Sequence, residues 1–332
     1  MKHPSSYVRA SAPLRLAAGA SVGAMALAMA ASAFAQATVP PADTVSVGEI
    51  VVTAEKRSEN IQNVPMSVTA VNADFLNKSG VADLTQLSNY VPSFNINTAN
   101  TTRNTSVIIR GVGSSGTNPG IEPDVGVFID GVYQPQGGQV IGDLLDINSV
   151  EVLRGPQGTL YGRNTPVGAV NITTAAPSST FSAGVRAGVG NYDLRYVDGY
   201  VTGPIAPELD GRLSFWTRDR SGYEQDPTLG HNVDDYDGYG LRGRLKWTPT
   251  DKMTVNFIGY YNNIHENCCV AEQINASGPY GIATPGFLAA QQALGYPYKN
   301  FDDHDHVVYG ADEGSDSSVM AGGSVQVDYD LG

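Results

Sequence analysis

From Phe181 onward the chain alternates in side-chain character with a period of two. In Phe181-Ser182-Ala183-Gly184-Val185-Arg186-Ala187-Gly188-Val189 the odd positions are apolar and the even ones small or charged. In Leu241-Arg242-Gly243-Arg244-Leu245-Lys246-Trp247, leucine, glycine, leucine and tryptophan take one face and three cations the other. This is the period of a β-strand and excludes an amphipathic helix. Two folds satisfy it. A soluble sandwich turns its leucines to a core and its cations to water. A porin-type wall turns its leucines to lipid and its cations to a wet lumen. Alternation alone does not separate them, but segments of about ten residues suit a membrane-crossing strand. Trp247, Tyr260 and Tyr261 also stand towards strand ends, as an interfacial aromatic girdle would. Six such strands are predicted, centred near Val185, Gly199, Phe215, Arg244, Phe257 and Val325. Apart from a tight turn at Gly190-Asn191-Tyr192-Asp193, their connections alternate between short, at 204–211 and 249–252, and long, at 224–237 and 267–316. That asymmetry is characteristic of outer-membrane barrels.

Residues 60–177 read differently, as a compact α+β domain. Apolar positions at helical spacing predict a helix over 82–90, stopped before Val91-Pro92 by the proline. Strands are predicted at 106–110, 125–130, 150–153 and 169–173. The last two flank Glu151-Val152-Leu153-Arg154-Gly155-Pro156-Gln157-Gly158-Thr159-Leu160-Tyr161-Gly162-Arg163-Asn164. There a β-branched strand delivers two charges and breaks into a turn rich in glycine and proline. Such a turn has backbone conformations chosen at defined points and is no flexible linker.

The start of the chain is set aside from the fold. Lys2, Arg9 and Arg15 precede an alanine-rich apolar stretch, and Ala33-Phe34-Ala35 supplies a small-x-small cleavage pattern, so residues 1–35 read as a signal peptide. A membrane anchor is the alternative, but no stop-transfer flank follows. Residues 36–59 form a linker with prolines at 40 and 41 and one brief β-prone segment, Glu49-Ile50-Val51-Val52-Thr53-Ala54. By pattern it is either an edge strand of the next domain or a strand available to another protein's sheet edge.

Composition removes several function classes. The net charge of −13 argues against nucleic acid, whose phosphates need clustered cations. Two cysteines in an exported chain mean the fold does not depend on disulfides. Gly111-Val112-Gly113-Ser114-Ser115-Gly116 matches a dinucleotide fingerprint, but Thr117-Asn118-Pro119-Gly120 does not open the required helix. No hydrolase, zinc-protease or P-loop pattern occurs, so neither an enzyme nor a cofactor is indicated.

Three separated motifs now carry a resemblance. Ile109-Arg110-Gly111, Ile129-Asp130-Gly131-Val132-Tyr133 and the run from Glu151 closely resemble, in order, the plug-domain signatures of TonB-dependent outer-membrane receptors. The resemblance implies an α+β plug domain over 60–177, followed from 178 to 332 by the first antiparallel strands of a transmembrane β-barrel. Six strands against about twenty-two in plugged transporters would make the barrel incomplete. The chain is accordingly expected to be the front portion of a longer receptor or a truncated product. Glu49, Ile50, Val51, Val52, Thr53 and Ala54 are similar to the TonB box, and the segment before them is too short for the signalling domain of transducer members. Arg110 and Arg154 match plug arginines that latch onto barrel glutamates, with Glu151 in the same latch; closing local turns is the alternative role. One departure stands out: Pro166-Val167-Gly168 replaces the paired glycines usual before the final plug strand.

The implied partners are TonB with the ExbB-ExbD inner-membrane motor, outer-membrane lipid, and a small ligand, by family a ferric siderophore. The family's topology puts polar tips on the external face, making Arg103, Asn104, Ser114, Ser115, Asn118 and Glu122 ligand-binding candidates; ordinary loop chemistry explains the same composition. Asp302, His304 and His306 are candidate metal ligands, with a solvated acidic loop as the alternative. Cys268 and Cys269 could pair with sulfurs beyond residue 332, form a strained bond with each other, or bind metal. The rival function is a secreted periplasmic or surface binding or adhesion module built on a soluble sandwich.

Overall fold

The computed structural model describes residues 51–53, 56–57, 59–81, 83–98, 105–114, 120–135, 144, 146–226, 229–267, 293 and 314–331. The signal-peptide expectation therefore lies outside the described residues. So do Glu49, Ile50, Ala54, Arg103, Asn104, Ser115, Asn118, Cys268, Cys269, Asp302, His304 and His306.

Two short strands come first, β1 (Val51–Val52) and β2 (Glu59–Asn60), paired with each other antiparallel. The α+β domain then builds a five-stranded mixed sheet. Its strands are β3 (Ser67–Asn72), β6 (Val125–Ile129), β7 (Val132–Gln134), β8 (Ile147–Arg154) and β9 (Gly168–Thr174), in the order β3-β8-β9-β6-β7. A separate hairpin joins β4 (Phe94–Thr98) to β5 (Thr105–Ile109). Three short helices complete the domain: α1 (Ala73–Ser79), α2 (Leu84–Leu87) and α3 (Gly158–Tyr161).

The predicted strands of this domain are all present, but the helix expected over 82–90 shrinks to one turn, α2, followed by turns through Tyr90. The longer helix is α1, just upstream. Its signals are local: the Asn72 side chain accepts from the Phe75 amide at 2.9 Å, and Gly80 ends it at φ 70°.

Both faces of the domain sheet are buried. Val150, Val152, Val170, Ile172 and Val127 point one way into the main core with Leu76, Leu84, Leu87 and Phe94. Leu153, Ala169 and Phe128 point the other way and are covered by Val52 and Val64. Two family-like motifs are tight hairpin turns. Arg110-Gly111, at φ 53° and 78°, closes Ile109 on Val112, and Asp130-Gly131, at φ 47° and 79°, closes β6 on β7. Positive φ at both central positions is the turn that matches strand twist. The departure at Pro166-Val167 leaves Gly168 in place. A Cβ at Gly168 would stand 2.4 Å from the Leu153 carbonyl oxygen, so that close approach is kept.

The alternating region folds as one six-stranded antiparallel meander. Its strands are β10 (Ser182–Val189), β11 (Arg195–Ala206), β12 (Leu209–Arg220), β15 (Tyr236–Thr250), β16 (Met253–Glu266) and β17 (Asp316–Tyr329). All six predicted centres fall within these strands. Among the described residues β10 and β17 are each paired on one side only, so the wall is an unclosed, incomplete barrel. The connection between β12 and β15 carries a small hairpin, β13 (Glu224–Asp226) with β14 (His231–Val233), which periodicity had not signalled.

The two faces of the wall differ as the alternation requires. Val185, Leu213, Leu241, Leu245, Trp247 and Phe257 are exposed on the outer face. No second sheet covers them among the described residues, which contradicts the sandwich reading. The inner face carries Arg212, Ser214, Trp216, Arg242 and Arg244. Tyr261 faces outward, 37% exposed, but Tyr260 turns to the inner face, where its ring lies over Gly322. Neighbours on a strand face opposite ways, and both tyrosines stand at the middle of β16 and not towards its end as expected, so neither forms an end girdle.

Candidate functional site

Three places in the structure bring together polar groups from distant parts of the chain: the contact between domain and wall, the arginine turns, and the dock of the N-terminal segment.

The domain meets the wall through two aspartates held at special backbone positions. Asp146, at φ 53°, stands immediately before β8, and Asp130 sits in the β6–β7 turn. Arg212 of β12 grips Asp146 with two nitrogens, Nε and Nη2, each at 2.5 Å, and the Ser214 hydroxyl donates to the same carboxylate. Both charged side chains are only 10% exposed. The Arg212 guanidinium also lies 4.0 Å from the centre of the Tyr200 ring. Planar two-nitrogen pairing is the geometry an arginine makes best and a lysine does not reproduce.

The second contact runs through Thr174. Arg244 of β15 donates to the Thr174 carbonyl oxygen at 2.7 Å and to its hydroxyl oxygen at 2.6 Å. That hydroxyl donates in turn to Asp130 at 2.7 Å, and the Thr174 amide donates to the other Asp130 oxygen at 2.9 Å. Arg244 itself stands 3.6 Å from Asp130. Beside the first contact lies a crevice of about 370 Å³ between α1 and the wall, lined by Leu76, Asn77, Asp146, Arg186, Tyr200 and Arg212.

Among the described residues the predicted latch residues make contacts within the α+β domain. Arg154 donates to the Thr69 hydroxyl at 2.8 Å and to the Pro92 carbonyl at 2.7 Å, both within the α+β domain. Burial, and then the nearby charge of Arg110, lower its affinity for the proton. Arg110 is exposed at its turn. Among the described residues Glu151 makes no contact with the wall, unlike its place in the expected latch. Along β8 it follows Val150 and precedes Val152, so it points to the opposite side from the main core, under the N-terminal segment. There it accepts from the Thr53 amide at 2.6 Å and the Thr53 hydroxyl at 3.0 Å. It also accepts from the Asn171 side-chain amide at 3.3 Å.

Of the ligand candidates, Ser114 and Glu122 are described. The Ser114 hydroxyl donates to the Glu122 carbonyl at 3.0 Å and accepts from the Asp124 amide at 2.7 Å, so it staples its own loop. The Glu122 carboxylate meets Arg163 at 3.2 Å on the surface. Among the described residues no group of three or more His, Cys, Asp or Glu stands ready for a metal.

Sequence reading missed Asp130, Asp146, Thr174, Arg212, Ser214 and Arg244 as an assembly. The inward cations of β15 and the Asp130-Gly131 motif were visible. The pairings were not, because they join residues 44 to 114 positions apart.

Comparison with known proteins places this geometry. Residues 60–169 match the family described as TonB-dependent Receptor Plug Domain. The pesticin receptor of Yersinia pestis is 37% identical over 163 residues, covering 48% of this chain and 24% of that protein. The chain thus spans about a quarter of the length of the pesticin receptors it matches. The crystal structure of the ferric yersiniabactin uptake receptor FyuA from Yersinia pestis superposes with a TM-score of 0.64 at 23% identity, covering 80% of this chain and 38% of that one. The ferric-catecholate import receptor Fiu from E. coli K12 gives 0.63 at 19% identity, covering 83% and 38%. With residues 60–169 matched as a plug and the fold like that of these solved receptors, the chain carries a TonB-dependent receptor plug domain followed by the fold of an open, partial barrel.

Proposed function

We propose that this chain is the leading part of an outer-membrane receptor that imports a ferric siderophore by an energy-coupled route. The observation that carries the reading is the character of the plug–wall contact. Two aspartates, one threonine and two arginines join the plug to the inner face of a sheet whose outer face is apolar. A stopper held by ion pairs and hydrogen bonds, with its apolar core kept to itself, can shift without exposing that core. Arginines and aspartates that leave each other can be rehydrated where a lumen holds water.

In this reading a signal peptide over 1–35 directs export. External tips, including those with Ser114 and Glu122, contribute to ligand capture. Arg110 and Arg154 add a further latch to wall carboxylates. Residues 49–54 are surrendered to TonB as an added strand, and the ExbB-ExbD motor supplies the force that displaces the plug. The ferric siderophore is favoured as cargo because the relatives above are named for yersiniabactin and catecholate import.

The test is uptake of radioactive ferric siderophores by cells carrying the full-length protein as their sole receptor of this kind. Uptake that disappears when the proton gradient is collapsed, with surface binding retained, is the expected result. Uptake indifferent to the gradient would refute coupling. Val51→Pro should likewise abolish uptake and spare binding, since proline removes a backbone donor from the pairing segment.

A further inference from the structure

The run from Glu151 to Tyr161 builds a dock for the N-terminal segment. Val52 is fully buried against Leu153, Ala169 and Phe128 on the second face of the plug sheet. One residue on, Thr53 gives both its amide and its hydroxyl to the Glu151 carboxylate. Asn171, directly across from Glu151 in the sheet register, donates both to that carboxylate and to the Thr53 hydroxyl oxygen, closing a three-residue ring of hydrogen bonds. Lys56 then sets its ammonium 5.5 Å from the centre of the Tyr161 ring.

Glu151 is 1% exposed, and its partners among the described residues are neutral donors. A buried carboxylate without a cation is costly unless donors satisfy it. Two of these three bonds come from Thr53, so docking of the segment is what satisfies the charge. Departure of the segment opens the carboxylate to water, which replaces the lost donors. The arrangement therefore holds the segment firmly but not irreversibly, as a coupling segment needs.

We infer that Glu151 is the positioning residue that holds residues 51–53 on the plug and sets how readily they pass to a partner strand. The inference deepens the import reading and rests on it for the identity of that partner. A partner that binds only the undocked segment sees its affinity reduced by the fraction undocked. Weakening the anchor should therefore tighten partner binding.

The experiment uses the purified full-length protein in detergent and compares wild type with Glu151→Ala and Thr53→Val. Hydrogen exchange at the amides of residues 52 and 53 should accelerate about tenfold or more in Glu151→Ala, the loss expected for a hydrogen bond to a charged group. Thr53→Val keeps the Glu151–Asn171 bond and the Thr53 amide bond, so it should accelerate exchange by a smaller factor. Amides of β8 and β9 should keep their protection in both. Affinity for the isolated C-terminal domain of TonB should rise in the same order.

Unchanged exchange at residues 52 and 53 in Glu151→Ala would overturn the anchor. If that variant fails to fold, unchanged exchange in Thr53→Val would overturn it equally. Faster exchange with unchanged TonB affinity would uphold the anchor and overturn the coupling reading of the segment, so the two failures are distinct.

Discussion

At the scale of single residues, Asp146 is the side chain whose loss the plug–wall contact should feel most. Removing it leaves Arg212 nearly buried, with its carboxylate gone. Breaking one partner of such a pair costs on the order of 3–5 kcal/mol, most of it the uncompensated charge that remains. Asp146→Ala should therefore lower the denaturant midpoint for plug release in the full-length protein. Adding Arg212→Met should recover part of the loss by removing the stranded cation. A double variant as unstable as the sum of its parts would mean the two side chains do not act as a pair. Tyr161 offers a pH-dependent counterpart. Burial, then the charge of Glu151, raises its phenol from the ordinary 10.0 to about 12. The folded plug thus prefers the neutral phenol. That contribution is complete below pH 10 and is lost as pH climbs from 10 towards 12. An ultraviolet titration of Tyr161→Phe should show one late-ionising tyrosine fewer than wild type; identical curves for the two proteins would contradict the burial of this ring.

At the scale of elements, what could be read from the sequence depended on how far the deciding contacts lie along the chain. The six wall strands were legible because each writes its two environments into alternate residues, and a strand in a membrane wall has no third environment to blur the pattern. The β12–β15 connection shows the opposite case: β13 and β14 are three residues each, too short for any period to appear. Helix α1 was written locally, in Asn72 and Gly80, yet lost to the apolar spacing of residues 84–90, where only α2 forms. Asn72→Ala should cost α1 about 1 kcal/mol, the usual worth of a cap, seen as a lowered melting temperature of the plug with the wall unaffected. The dock of Thr53 on Glu151 was illegible for a different reason. A glutamate after valine on a strand looks like a charge for the surface or the wall, and only the covering of the sheet's second face by Val52 makes it an anchor. The Thr53–Glu151 bond under that covering joins residues 98 positions apart.

At the scale of the whole molecule, the two halves are stabilised by different media, and this should separate them experimentally. The plug keeps a conventional apolar core on both sides of its sheet. The wall buries only a small apolar cluster among its described residues, Trp216 and Ile264 with Tyr236 and Met320; many of its large apolar side chains are turned outward, Val185 at 74% and Phe257 at 40% exposure, and need lipid or detergent to cover them. Between the two lie ion pairs and hydrogen bonds, which denaturant and salt weaken without first breaking either half. Denaturant titration of the full-length protein in detergent should therefore show two transitions. Plug tryptic sites should become cleavable in the first, while the strand signal of the wall persists to the second. Asp130→Ala combined with Asp146→Ala should move the first transition down and leave the second in place, because Arg212 and Arg244 lose their carboxylate partners on the plug while the backbone ladder of the wall is untouched. A charged residue on the outer face, Leu245→Arg, should do the reverse. It should cost the wall about 2–4 kcal/mol at the membrane midplane and spare the plug. A single transition moved alike by both changes would mean that plug and wall unfold as one unit, and a plug that cannot come away independently could not serve as the movable stopper of a pore.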